Sequence, residues 1–362
     1  MFVADLHNDV LQRAIIGQDI ITHSNQGHTD IDRLILSGIN LEVFVIWVTK
    51  KHLQLNPFKR ANELINKLEE IEKKTNKIKK IKSLEDLNFA INKSIISAPF
   101  GIEGGECLEE NIDNLIHFID RGLLYFGPTW NYSNSIATSA YDETYNSNRF
   151  DKIGLSEFGK KIIKICDENK IIIDVSHIGE KSFYDIIDLS YNPIIASHSC
   201  VYEICNHYRN LKDEQIIAIK KTNGAVFVNL YPLFIDNNFK KHVNKINKNY
   251  IKELNEINLN YPDSDENWIY KQIFLQKKLN YGAPKLSRFI DHIEYIINLV
   301  GAEHVGIGSD YDGIDCLPKE MIDCTNHMLI ADELKTRGFS NSDIEKIMGL
   351  NFLRIFQEIK SK

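Results

Sequence analysis

Nowhere does the chain carry about 18 consecutive apolar residues, the length a membrane-crossing helix needs, so no membrane span is expected. The N-terminus has no basic stretch leading into an apolar one, and the C-terminus, "IFQEIKSK", has no hydrophobic tail to direct a lipid anchor. A cytoplasmic protein is the expectation. Positive charge is not in excess. The 43 Lys and Arg stand against 50 Asp and Glu, a net charge of −7, which argues against nucleic acid or an anionic membrane as partner. Cysteine is sparse: six residues, none in a C-x-x-C pair, and without a secretory signal they are expected to be buried thiols. Cys200 and Cys205 are close in sequence, but neither has a basic neighbour to activate it. There is no internal repeat or low-complexity tract, and "HNDVLQRA" after the first apolar run is not a glycine-rich phosphate turn. That absence counts against a doubly wound, dinucleotide-binding sheet.

What is present is the composition of a soluble globular protein able to bury a sizeable core, with 43% hydrophobic and 26% charged residues over 362 positions. Short, β-branched apolar runs occur at Phe2–His7, Asn40–Val48, Ser97–Glu103, Leu123–Thr129, Ile171–His177, Pro193–His198, Ala225–Tyr231 and His304–Asp310. Helical patterns lie between most of them, at Pro57–Lys74, Asn111–Arg121, Ser156–Glu168, Glu180–Leu189, Lys212–Lys221 and Leu286–Leu299. Eight near-continuously apolar strands alternating with helices predict an α/β protein, a (β/α)8 TIM barrel over residues 1–362, covered on both sides of each strand. Two stretches exceed ordinary loops. Residues 50–93, after the second strand, are expected to hold a helical hairpin. Residues 232–285, after the seventh, form a helical excursion that is either a lid over the site or a peripheral pair of helices.

Polar residues gather at the C-terminal ends of the runs. "ADLHNDV" sets His7 and Asp9 two apart, on one face of a strand. "GIEGGE" places Glu103 before two glycines; "IIIDVSH" and "PIIASHS" deliver His177 and His198; "HVGIGSDYDG" offers Asp310 and Asp312. Singly, each could be an ordinary strand-end residue or a helix cap. Together they converge on the mouth where barrels keep their chemistry. Three imidazoles with carboxylates favour zinc or a similar cation, and "DYDG" lacks the remaining ligands of a calcium loop. The candidates are too many for one tetrahedral ion with an open position. They suit two ions sharing a carboxylate, which would activate a bridging water.

The collinear segments "DLHND", "GIEGGE", "DVSH", "ASHS", "YRN" and "VGIGSDYDGI" resemble the signatures of the membrane (renal-type) dipeptidase family, in a soluble, bacterial-type form. The resemblance runs from residue 2 to about residue 356 and matches poorly in the two long excursions. It implies an amidohydrolase-like barrel that cuts dipeptides, including those with a C-terminal D-residue, at a site with two zinc ions. On matching positions, His7 and Asp9 would hold one zinc and His177 and His198 the other, with Glu103 between and Asp310 as the proton-transfer carboxylate. Arg209 would grip the substrate carboxylate, for which a guanidinium fork is suited. A homodimer is also within the family's habit. One position departs: where other members have a histidine after the fourth strand, "GPTWNYSN" carries Trp130, with His207 a candidate to stand in for it. Two other readings remain. One is a binuclear amidohydrolase acting on N-acyl amino acids or cyclic amides; the other is a metal-binding module without catalysis.

Overall fold

All eight apolar runs form strands in the computed structural model, which describes residues 1–149, 153–262 and 264–361. They are β1 (Ala4–Asn8), β2 (Leu41–Trp47), β3 (Phe100–Glu103), β4 (Leu123–Gly127), β5 (Ile172–Asp174), β6 (Ile194–Ala196), β7 (Ala225–Val228) and β8 (Val305–Ile307). Each pairs in parallel with the next in sequence, for example Trp47 beside Glu103 and Glu103 beside Gly127. A parallel bridge between Asn8 and Tyr311 closes the ring. It is held by Asp9 N to Tyr311 O (2.8 Å) and Asp310 N to His7 O (3.0 Å).

Two apolar layers follow from the strand pleat. Inward residues such as Leu6, Val43, Leu124, Ile172 and Phe227 fill the barrel together with Phe352, Ile355 and Phe356 of the C-terminal helix, which plugs its lower end. Outward residues pack under the surrounding helices. Burying a phenylalanine such as Phe356 contributes about 1.5–3 kcal/mol, so this plug does much to hold the floor of the barrel. The helix Glu157–Glu168 starts as its sequence suggests, with Ser156 Oγ accepting from Gly159 N at 2.9 Å.

Strands β5 and β6 end earlier than the apolar pattern suggests, at Asp174 and Ala196, leaving His177 and His198 on the loops beyond. The cause is local. The Asp174 carboxylate accepts from the backbone amides of Ser176 (3.1 Å) and Ser197 (2.8 Å), and Ser176 Oγ accepts from His198 N (3.1 Å). Side-chain acceptors thus replace the ladder where it stops.

The stretch after β2 is more than a helical hairpin. Helices Pro57–Lys74 and Leu84–Lys93 alternate with two-residue strands, Ile78–Lys79 and Ile96–Ser97, which extend the sheet alongside β2. The excursion after β7 holds helices Pro232–Ile235, Phe239–Asn249, Ile251–Asn260 and Ser264–Leu279. The last of these is fastened to three barrel loops. Asp265 accepts from Thr49 Oγ1 (2.5 Å) and Arg60 Nη2 (2.6 Å), Gln272 donates to Gly313 O (3.0 Å), and Gln276 meets His28 (2.8 Å). No helix among the described residues is long and apolar enough to cross a membrane.

Candidate metal centre

The strand ends bring six of the expected side chains to one point. Glu103 Oε1 lies 2.7 Å from His177 Nε2, 3.2 Å from His198 Nε2 and 3.7 Å from His7 Nε2, while His7 Nε2 is 3.5 Å from Asp9 Oδ2. His7, Glu103 and His198 form one group able to hold an ion, and His7, Asp9 and Asp310 form a second. Asp310 therefore stands as close to the cluster as the residues expected to be ligands.

The far nitrogens of two imidazoles are tied down. Tyr125 OH donates to Leu6 O (3.1 Å), leaving its oxygen to accept from His7 Nδ1 (3.0 Å). Ser197 Oγ donates to Asp174 Oδ2 (2.7 Å) and lies 2.7 Å from His198 Nδ1. This arrangement uses Nδ1 of each ring as a donor and aims Nε2 toward Glu103. His177 is different, because its Nδ1 has no hydrogen-bond partner.

Such a site suits a cation. His177 Nε2 and His198 Nε2 are 3.0 Å apart, and the buried Asp9 Oδ1 has no partner. A side chain at Gly313 would set its Cβ 2.1 Å from Asp310 Oδ1 and 2.3 Å from Asp9 Oδ2, so a residue with no side chain keeps that space open. Imidazole nitrogens with carboxylates are the donor set of zinc and related ions. Electrostatics agrees. Burial opposes a charge on His7, but Glu103, Asp9 and Asp310 outweigh it and push its pKa up to about 10. Burial, with Arg209 and His7 nearby, holds His177 and His198 well below the usual histidine range. Glu103 is driven well up by burial and by Asp9 and Asp310, and Asp310 is pushed up to about 7 by burial and Asp9. The carboxylates crowd one another, so Asp9 raises the pKa of both its neighbours, Glu103 and Asp310.

Asp310 has φ +64°, and its Oδ2 accepts from Asn229 Nδ2 at 2.8 Å. Asp312 turns away into a structural network, accepting from Thr29 Oγ1 (2.7 Å), His28 N (2.7 Å) and Arg13 Nη1 (3.2 Å). Arg209 is 2% exposed, and its guanidinium makes long hydrogen bonds to Ser199 Oγ (3.5 Å) and His198 O (3.4 Å) and lies over the Phe234 ring at 5.5 Å. No carboxylate among the described residues forms an ion pair with it. It lines, with Glu103, His177, His198, Asp310 and Trp130, a cavity of about 270 Å³. His207 lines the same cavity, its ring tilted against Phe234 at 4.6 Å, with its pKa lowered to about 3 by burial and Arg209. All six cysteines are buried and unpaired.

Several contributors escape a reading of motifs. Tyr125 sits inside a strand and looks like core. Asp174 and Ser197 stand within "DVSH" and "ASHS" but are overshadowed by the histidines. Asn229 lies inside the seventh apolar run, just past the end of β7, where a lone polar residue is the only signal. Trp268 comes from the helix Ser264–Leu279 and packs on Trp47 at 5.3 Å, while Trp47 packs on Trp130 at 4.9 Å.

The sequence profile of the membrane dipeptidase family, peptidase family M19, matches residues 1–362. An uncharacterised protein from the pqqA 5′ region of Klebsiella pneumoniae is 27% identical over 277 residues, 76% of this chain and 87% of that protein. An uncharacterised dipeptidase of Schizosaccharomyces pombe is 26% identical over 345 residues, 91% of this chain and 73% of that one. Among solved structures, the metallopeptidase dipeptidase AC superposes with a TM-score of 0.80 at 21% identity, covering 100% of this chain and 99% of the other. A Rhodobacter sphaeroides metallopeptidase, liganded with a phosphinate mimic of L-Ala-D-Ala, gives 0.79 at 21% identity, with 99% of each chain covered. These structural likenesses show the fold. With the profile matched along its whole length, the chain belongs to the membrane dipeptidase family and is one of its metal-dependent peptide-bond hydrolases.

Proposed function

We propose that the protein is a zinc-dependent dipeptidase that holds two ions, one by His7 and Asp9, the other by His177 and His198, with Glu103 serving both. When bound, such a pair supplies a polarised scissile carbonyl and a water acidic enough to attack at neutral pH. The protein's own groups do the rest. Asp310, held by Asn229, takes the proton of the attacking water and returns one to the leaving amine. Arg209 binds the α-carboxylate through two parallel hydrogen bonds, which sets the peptide bond over the cluster. Trp130 forms a wall of the cavity.

One observation carries the reading. Arg209 is buried beside the cluster with no ion-paired carboxylate among the described residues, offset only by the more distant charges of Glu103, Asp310 and Asp174 and by the Phe234 ring, and a ligand anion would complete it. The related structure that binds an L-Ala-D-Ala mimic supports including dipeptides with a C-terminal D-residue. The test is turnover by zinc-reconstituted protein of Ala–Ala, its N-acetylated form and its C-terminal amide. A dipeptidase of this design cleaves the free dipeptide and loses most of its activity on the amide. Equal turnover of the N-acetylated compound would favour an N-acyl amino acid hydrolase. No turnover of any, at full metal loading, would leave a binding module.

A further inference from the structure

Arg209 follows β6, whereas Trp47 ends β2, on the opposite side of the ring, and Trp130 follows β4, and all three line the same mouth. A dipeptide gripped by its carboxylate at Arg209, with its peptide bond over Glu103 and the histidines, must extend its first residue toward the tryptophans. The cavity there is about 270 Å³, at or below the lower end of ordinary ligand pockets (about 300–1,000 Å³). Trp47, Trp130 and Trp268 also line a second cavity of about 460 Å³ on their outer side. Tyr132 and Pro262 add further apolar surface to it, and Lys50 lies over the Tyr132 ring at 5.6 Å. The three rings therefore line both the candidate metal site and a roomier aromatic groove, which adjoin at them. Trp268 is set in place by the clamped helix Ser264–Leu279, whose Asp265 lies one turn earlier.

We propose that this groove is the subsite for the side chain of the substrate's first residue, and that the enzyme prefers dipeptides beginning with a large aromatic or aliphatic residue. The inference rests on the dipeptidase reading and on Arg209 as the carboxylate anchor. A large flat side chain can stack on indole faces there, at offset or edge-on geometries that the tilted rings already use among themselves.

The experiment compares Ala–Ala, Phe–Ala and Ala–Phe with wild type, Trp268→Ala and Trp268→Phe. In zinc-loaded wild type, kcat/KM for Phe–Ala should exceed that for Ala–Ala by about 10-fold or more, in line with side-chain discrimination by apolar pockets. The Trp268→Ala protein should lose most of that advantage, with the Ala–Phe to Ala–Ala ratio unmoved. Each ratio is taken within one preparation, so a smaller folded fraction cancels. A second readout needs no metal: the chain's only three tryptophans are these three, so intrinsic emission reports on the rings shared by the groove and the site. Phe–Ala should shift that emission in metal-free protein, and Ala–Ala should do so far less. Turnover of Ala–Ala without a Phe–Ala advantage, or an advantage that survives Trp268→Ala, overturns the inference and leaves the dipeptidase reading standing. Failure to cleave any of the three overturns both.

Discussion

Ser197 Oγ lies between Asp174 and His198, 2.7 Å from the carboxylate of one and 2.7 Å from the Nδ1 of the other. One hydroxyl thus passes the orienting effect of a buried acid to an imidazole at the metal centre. Partners of this kind are usually worth about 10- to 100-fold in metal affinity. Ser197→Ala should weaken zinc binding by that order in a chelator competition, and Ser197→Thr, which keeps the hydroxyl, should restore much of it. Unchanged affinity in the alanine variant would show that the ring is held by packing alone.

Glu103 touches all three imidazoles, so its replacement should be felt everywhere at once. Metal analysis of wild type is expected to give about two ions per chain. Glu103→Gln should lower occupancy of both positions together, whereas His177→Ala should mainly empty one. Full metal content in Glu103→Gln would remove the shared-ligand assignment.

Arg209→Lys keeps the charge but not the planar fork, and it should still lower kcat/KM. Amidating the dipeptide C-terminus should cost wild type far more than it costs Arg209→Ala. Equal losses in both proteins would show that this side chain never meets the carboxylate.

Trp130 has its ring against Trp47 and Tyr132, at 4.9 and 5.4 Å, an arrangement suited to a pocket wall. Trp130→Phe should accordingly raise KM and leave kcat nearly intact. A fall in kcat of about 100-fold or more, in fully metallated protein, would instead give its N–H a role at the transition state.

Glu106, at the end of "GIEGGE", has a buried Oε1 with no hydrogen-bond partner, and burial pushes its pKa from 4.5 up to about 7. The folded state therefore binds this proton more tightly than the unfolded chain does. The stabilisation it brings is complete below about pH 4.5 and is lost as pH rises through 7. Urea midpoints should fall across that window because of Glu106, and Glu106→Gln should flatten the fall. An identical pH slope in the glutamine variant would mean the carboxyl titrates normally.

Much of this protein is legible in its residues because its strands are covered on both sides and read as plain apolar runs. Helix Pro57–Lys74 was also recoverable to the residue, since a capping Asn56, a Pro at its first position and the buried set Leu64, Ile65, Leu68 and Ile71 all point one way. Strand ends were less so. The chain leaves β5 at Asp174 because a side chain captures two backbone amides, an event with no periodic signature. The pairs Ile78–Lys79 and Ile96–Ser97 are too short to show alternation. The histidines and acids of the cluster stand out by residue type. Tyr125, Ser197 and Trp268 act by position, and position is known only once the strands are aligned.

The seam between β8 and β1 has a consequence for how the enzyme comes into being. Ser309 N reaches Asp5 Oδ1 at 2.8 Å across a sequence separation of 304, and Asp310 N reaches His7 O beside it. His7 can meet Asp9, Glu103 and His198 through earlier strands, but its neighbour Asp310 arrives only with nearly the last part of the barrel. A nascent chain stopped before β8 can have most of its helices and seven of its strands and still lack the Asp310 side of the cluster. Long-range closure of this kind is a late, slow event in folding. Peptidase activity should therefore switch on with completion of the ring, not build up strand by strand.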